Sequence, residues 1–69
     1  MDTEEIEKRF TYHPPTERQI ERYQDIREYA KEFAILIVGL TPECREQSLA
    51  LTHLDCVVMF ANAAIARRE

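Results

Sequence analysis

Phe33-Ala34-Ile35-Leu36-Ile37-Val38-Gly39-Leu40-Thr41-Pro42-Glu43 is the stretch that decides how this chain folds. An apolar run ends at Leu40, and Gly39 suits a left-handed helix stop. Thr41 then suits an N-cap, Pro42 the first helical position and Glu43 the acid of a first turn. One helix stops and another starts with almost no loop between them. Two helices joined so tightly fold back on each other as an antiparallel hairpin.

The pattern holds on both sides of that junction. Upstream, Thr16 followed three residues later by Gln19 matches a capping box. Ile20, Tyr23, Ile26, Ala30, Phe33, Ala34 and Ile37 then recur at helical spacing, which predicts a helix over about 16–39. Downstream no breaker intervenes before Arg67-Arg68, cations suited to a helix C-terminus, so the second helix is expected over about 42–68. Each would be roughly 36–40 Å long at the α-helical rise. The remaining residues, 1–15, form an arm: a short helix near Thr3 to Arg9, capped by Asp2 or Thr3, then a break at Pro14-Pro15. Ile6 and Phe10 are its only apolar anchors, so the arm has to dock on something else. The expected fold is therefore all-α, a short N-terminal helix followed by a long antiparallel helical hairpin.

Composition narrows the function. Sixty-nine residues make a single domain, 1–69, and thirteen acids against nine bases give a net charge of −4. A broad polyanion-binding face is excluded, so DNA is not an expected partner. Two cysteines do not make a secreted disulfide scaffold. No uninterrupted apolar run reaches the ~17–25 residues of a membrane span. The acidic opening Met1-Asp2-Thr3-Glu4-Glu5 lacks the character of a secretory or mitochondrial leader, and a cytoplasmic protein is expected.

The apolar pattern is wider than a hairpin needs. Leu51, Leu54, Val58, Ala61 and Ile65 supply the stripe that faces the partner helix. Leu49, Cys56, Phe60 and Ala63 lie off that stripe, and Phe33–Leu40 is apolar around its whole circumference. Helices apolar on several sides are covered on several sides. A homo-oligomer is expected, with Ala61-Asn62-Ala63-Ala64 allowing close backbone approach.

Little in the sequence suggests catalysis. There is no phosphate-cradling glycine loop, no metal-type cysteine pair and no nucleophile–base pair. His53 and Cys56 share a helix face but supply only half of a zinc site, and a surface His beside a buried thiol accounts for them. Cys44 in a first turn has Glu43 and Glu46 beside it, which oppose a thiolate. No cofactor is expected.

Phe10-Thr11-Tyr12-His13-Pro14-Pro15 is different, because it places two aromatics and an imidazole on a proline-stiffened loop. Tethering of the arm accounts for these residues too, so geometry has to arbitrate. A hairpin turning near residue 41 sets Thr16 against Ala66, Tyr23 against Met59 and Arg27 against Asp55. The Tyr12 loop then sits beside Asn62, Arg67 and Arg68. A stacking ring, an amide and guanidinium groups together suit a small anionic ligand that contains bases. Arg27 has a second reading as a surface ion pair with Asp55.

The loop, with Arg22-Tyr23 and Ile26-Arg27-Glu28, resembles the opening of the phage anti-CBASS cyclic-nucleotide sponge family, which shares a helical hairpin with the Thoeris-inhibiting sponges. Arg45-Glu46-Gln47-Ser48-Leu49-Ala50-Leu51-Thr52 and Met59-Phe60-Ala61-Asn62-Ala63-Ala64-Ile65-Ala66-Arg67 resemble the rest of it. Departures are Cys44 for Ser, His53 for Lys and Phe60 for Trp. The resemblance implies a homohexamer in the cytoplasm of an infected bacterium. It would sequester cyclic di- and trinucleotides in intersubunit pockets, without cleaving them, and keep the defence effector silent. It assigns base stacking to Tyr12 and phosphate contact to Arg27. Phe10, His13, Asn62, Arg67 and Arg68 join the expected ligand-binding set through loop position and hairpin geometry. Two other readings stay open: a phosphodiesterase, and a helical adaptor or assembly module with no nucleotide ligand.

Overall fold

A computed structural model describes all residues, 1–69, as three helices: α1 (Thr3–Phe10), α2 (Glu17–Leu40) and α3 (Arg45–Arg68). Asp2 caps α1 by accepting from the Glu5 N–H at 2.9 Å. The Thr16 capping box forms in both directions, with Gln19 N–H donating to Thr16 Oγ1 at 3.2 Å and Thr16 N–H donating to Gln19 Oε1 at 3.0 Å. α2 and α3 pair as a hairpin, and α1 packs on α3.

The junction folds differently from its sequence reading. Gly39 lies inside α2, and no residue of the chain has a positive φ. Thr41 leaves the helix extended, at φ −126° and ψ 152°, the geometry favoured in a residue before proline. Its hydroxyl donates to the Ile37 carbonyl at 2.6 Å and so satisfies an end-of-helix acceptor that a left-handed glycine motif would otherwise serve. Thr41 is thereby spent on α2 and does not cap α3. That helix begins at Arg45, after the Cys44 N-cap, which makes no side-chain capping bond. Gln47 ties the corner together, its Nε2 donating to Thr41 Oγ1 at 3.0 Å and to the Thr41 carbonyl at 3.3 Å.

The expected pairs Tyr23 with Met59 and Arg27 with Asp55 each line a common groove. Tyr23 also shares a groove with Asn62, and Gln19 and Arg22 meet Glu69. Arg27 lines a groove with Asp55 but forms no ion pair with it.

The backbone measures 45 × 30 × 12 Å, one helix diameter thick. A single layer encloses nothing, and no residue is buried. The chain exposes 5976 Å², whereas a compact monomer of 8.2 kDa exposes about 4,500 Å². Ala30, Leu54 and Val58 form the seam between the helices and separate two broad faces. One face carries Ile26, Tyr29, Phe33, Val57 and Ala61; the other carries Arg27, Lys31, Asp55 and Met59. Contrary to the expectation from uninterrupted runs, α3 is long and apolar enough by composition to cross a membrane, with a mean hydropathy of 1.6 over an 18-residue window. Asp55 near its middle and its pairing with the charge-rich α2 set it apart from a lipid-facing helix.

Candidate functional site

The open end of the hairpin, farthest from the Thr41 corner, gathers most of the chemically interesting side chains. Two carboxylates organise it. Glu69 accepts a two-pronged contact from Arg22, with Nη1 to Oε2 at 2.7 Å, and a bond from Gln19 Nε2 at 3.3 Å. Glu5 accepts Arg68 Nη1 at 2.8 Å and Nη2 at 2.7 Å, and Arg9 Nε at 2.7 Å. The Arg68 fork fastens the arm to α3 and gives α1 the docking its two apolar anchors do not supply. Hydrogen bonds hold both carboxyls well below their ordinary 4.5, at about 2: from the Arg68 and then the Arg9 guanidinium at Glu5, and from the Arg22 guanidinium and then the Gln19 amide at Glu69. Their sites are exposed and screened by water.

Three adjoining crevices open at this end. The first, about 270 Å³, is lined by Arg9, Thr11, Tyr12, His13, Pro15, Tyr23, Ala66 and Arg67. The second, about 540 Å³, is lined by Tyr23, Arg27, Met59, Asn62, Ala63, Ala66 and Arg67. Tyr23, Ala66 and Arg67 belong to both, so the two form one continuous groove across the face. The third, about 320 Å³, lies beyond Arg67 among Arg9, Phe60, Ala63, Ala64 and Arg68.

Of the residues expected from sequence, Tyr12, His13, Arg27, Asn62 and Arg67 thus line one groove. The pairing places them there: Tyr12 and His13 ride on the extended segment before the Thr16 cap, Arg27 on α2, and Asn62 and Arg67 on α3. Tyr12 is 81% exposed, so its ring face is free. Arg27 and Arg67 belong to none of the chain's ion pairs. The Asn62 amide oxygen is shielded from water and accepts no hydrogen bond. Phe10, at the end of α1, is 80% exposed and lines none of the three crevices. Arg68 borders the third crevice, but both its terminal nitrogens are engaged by Glu5.

Sequence reading missed two groove residues. Tyr23 reads as a core position by its spacing, yet it is half-buried and lines the wall common to the first two crevices. Arg9 reads as the end of a fraying arm; the signal that could have found it is Glu5, one turn earlier, spaced to orient it. His53 is exposed and Cys56 half-buried, and no group of three or more metal-type side chains surrounds them.

Chemically, the groove offers stacking rings, the Asn62 amide and free guanidinium groups on a chain whose overall charge is negative. Such a set holds aromatic bases and phosphates together. The family described as Acb2/Tad1, hairpin domain, matches residues 2–66. No curated protein and no solved structure matches the chain.

Proposed function

The chain belongs to the Acb2/Tad1 hairpin family, whose members are phage cyclic-nucleotide sponges rather than enzymes. On that premise we propose that it sequesters cyclic di- and trinucleotides intact in the cytoplasm of an infected bacterium and so keeps a defence effector silent. Tyr12 stacks on a base, Arg27 and Arg67 hold phosphates, and the Asn62 amide lines the groove between them.

The observation that carries this reading is the continuous groove in which Tyr12, Tyr23, Arg27, Asn62 and Arg67 converge from three separate segments. One aromatic and one arginine on an open surface give weak binding once association costs are subtracted. A second copy of the chain supplies the remedy, by closing the groove and doubling its contacts. Two features support self-assembly, with a hexamer as the family expectation. The chain exposes roughly 1,400 Å² more than a compact monomer of its mass, a surplus on the scale of a protein interface. Tyr29, Phe33 and Val57 are 72%, 54% and 60% exposed on one side of the seam, around an apolar crevice of about 410 Å³. Sandwiching that face between copies gives the hairpin the second layer that domains ordinarily possess.

Isothermal titration calorimetry with cyclic di-AMP, cyclic GMP-AMP and cyclic tri-AMP tests the proposal, followed by heating the complex and identifying what is released. Saturable binding and recovery of unchanged ligand are expected. Linear products would make the protein a phosphodiesterase. Absence of binding to the whole panel would leave the helical adaptor as the better reading.

A further inference from the structure

Arg9 plays no part in the site drawn from the sequence, yet it is the wall between two of the three crevices. Its Nε donates to Glu5 Oε2 at 2.7 Å, and neither terminal nitrogen makes a hydrogen bond within the chain. A guanidinium is planar and rigid, so fixing Nε on a carboxylate directs the paired N–H groups of the other edge away from it. Glu5 is itself fixed to α3 by the Arg68 fork, at 2.8 and 2.7 Å. Arg9 is therefore tied to the hairpin through a carboxylate that has no freedom to follow it elsewhere. Its side chain is 39% exposed, accessible to a ligand but not loose in solvent.

Cations outnumber acids around it, Arg9, Arg67 and Arg68 against the one Glu5 carboxylate that Arg9 and Arg68 share. Arg9 and Arg67 line both the Tyr12 crevice and its neighbour beyond Arg67, Arg68 lines the second of these and His13 the first. No carboxylate lines either one. In a chain with more acids than bases, two adjoining hollows walled by three arginines, with Glu5 behind two of them, keep a local excess of positive charge.

Resting on the sponge reading above, we propose that Arg9 is a further phosphate-binding residue, oriented by Glu5. With Arg67 it grips one phosphodiester of a ligand whose base stacks on Tyr12. Glu5 is the positioning residue and Arg68 its anchor.

Calorimetric titration of the full chain with cyclic di-AMP, cyclic GMP-AMP and cyclic tri-AMP, at several salt concentrations, tests this. Arg9→Ala is expected to weaken binding of at least one of them roughly ten- to hundredfold, the range for losing charge-assisted hydrogen bonds. Its binding should also depend less on salt than that of the wild type. Arg9→Lys keeps the charge without the fork and should recover part of the loss. Glu5→Gln should weaken binding more in the wild type than in Arg9→Ala, because part of its effect passes through that arginine and the rest through the arm that Arg68 anchors. Circular dichroism and sedimentation of Arg9→Ala and Arg9→Lys should match the wild type. Wild-type binding that survives Arg9→Ala within about twofold would overturn this role while leaving the sponge reading intact. Equal losses in Arg9→Ala and Arg68→Ala with unchanged salt dependence would overturn it too, by making Arg9 a mere anchor of the arm. A wild-type chain that binds none of the three nucleotides would overturn both readings.

Discussion

The two broad faces of the hairpin are built from the same pair of helices and lie on opposite sides of the Ala30–Leu54–Val58 seam, yet they differ in kind. One presents Ile26, Tyr29, Phe33, Val57 and Ala61, nearly devoid of charge apart from Asp25 at its margin. The other runs from Lys31 and Arg27 through Asn62 and Arg67 to the Tyr12 loop. Helical phase does the separating: Ile26, Tyr29 and Phe33 recur at three- and four-residue intervals, and Tyr23, Arg27 and Lys31 at four-residue intervals one face over. The lesson is that a protein too small to enclose a pocket can segregate apolar and cationic surface on the two sides of a single layer.

That division can be broken most severely on the apolar side. Phe33→Glu is expected to abolish the oligomer and, with it, nucleotide binding; sedimentation velocity and calorimetry on the same sample check both. An oligomer unchanged by Phe33→Glu would place the assembly contact elsewhere. Tyr12→Ala should leave sedimentation unchanged while weakening binding by about ten- to hundredfold, the cost of one to two unstacked bases. A change in oligomer size in this variant would mean that the faces are not independent. Arg27→Ala should act the same way with a smaller loss of about tenfold, measured in the same titration.

The smallest effect concerns how the arm is held. Glu5 and Glu69 have carboxyls lowered from 4.5 to about 2 by their arginine partners. A carboxylate with a depressed folded-state pKa contributes stability that is fully present above its ordinary value and lost as pH falls towards the folded one. Arm docking is thus expected to be constant from neutrality down to about pH 5 and to loosen between about 4.5 and 2. Hydrogen exchange of α1 amides against pH reads this directly. Glu5→Gln should show the loosened state already at neutral pH, and α1 protection unaffected by that substitution would show that Ile6 and Phe10 suffice to hold the arm.

Much of the fold was legible in the chain itself, because local chemistry writes helix ends plainly. Asp2, the Thr16–Gln19 box and the Pro14-Pro15 break each act within a few residues and appear where their types predict. The Thr41 corner was misread because one side chain had two eligible helices to cap. Only its bond to the Ile37 carbonyl decides between them. That choice delayed α3 to Arg45, while Tyr23 with Met59 and Arg27 with Asp55 still share grooves as the hairpin pairing expects.

The candidate site divides the same way. Residue types alone left the Tyr12 loop readable as a tether for the arm, and hairpin geometry, which sets it near the end of the last helix, made it a candidate. They did not reveal that Arg68 is committed to Glu5, that Phe10 turns away, or that Arg9 enters the groove. Those outcomes depend on contacts between residues more than fifty positions apart, for which no local pattern exists. Helix ends and helix faces are set by interactions within a turn or two of the chain, so the sequence by itself determined them. Which arginine is tied and which is free depends on where α1 comes to rest against α3, and only the tertiary structure decided that.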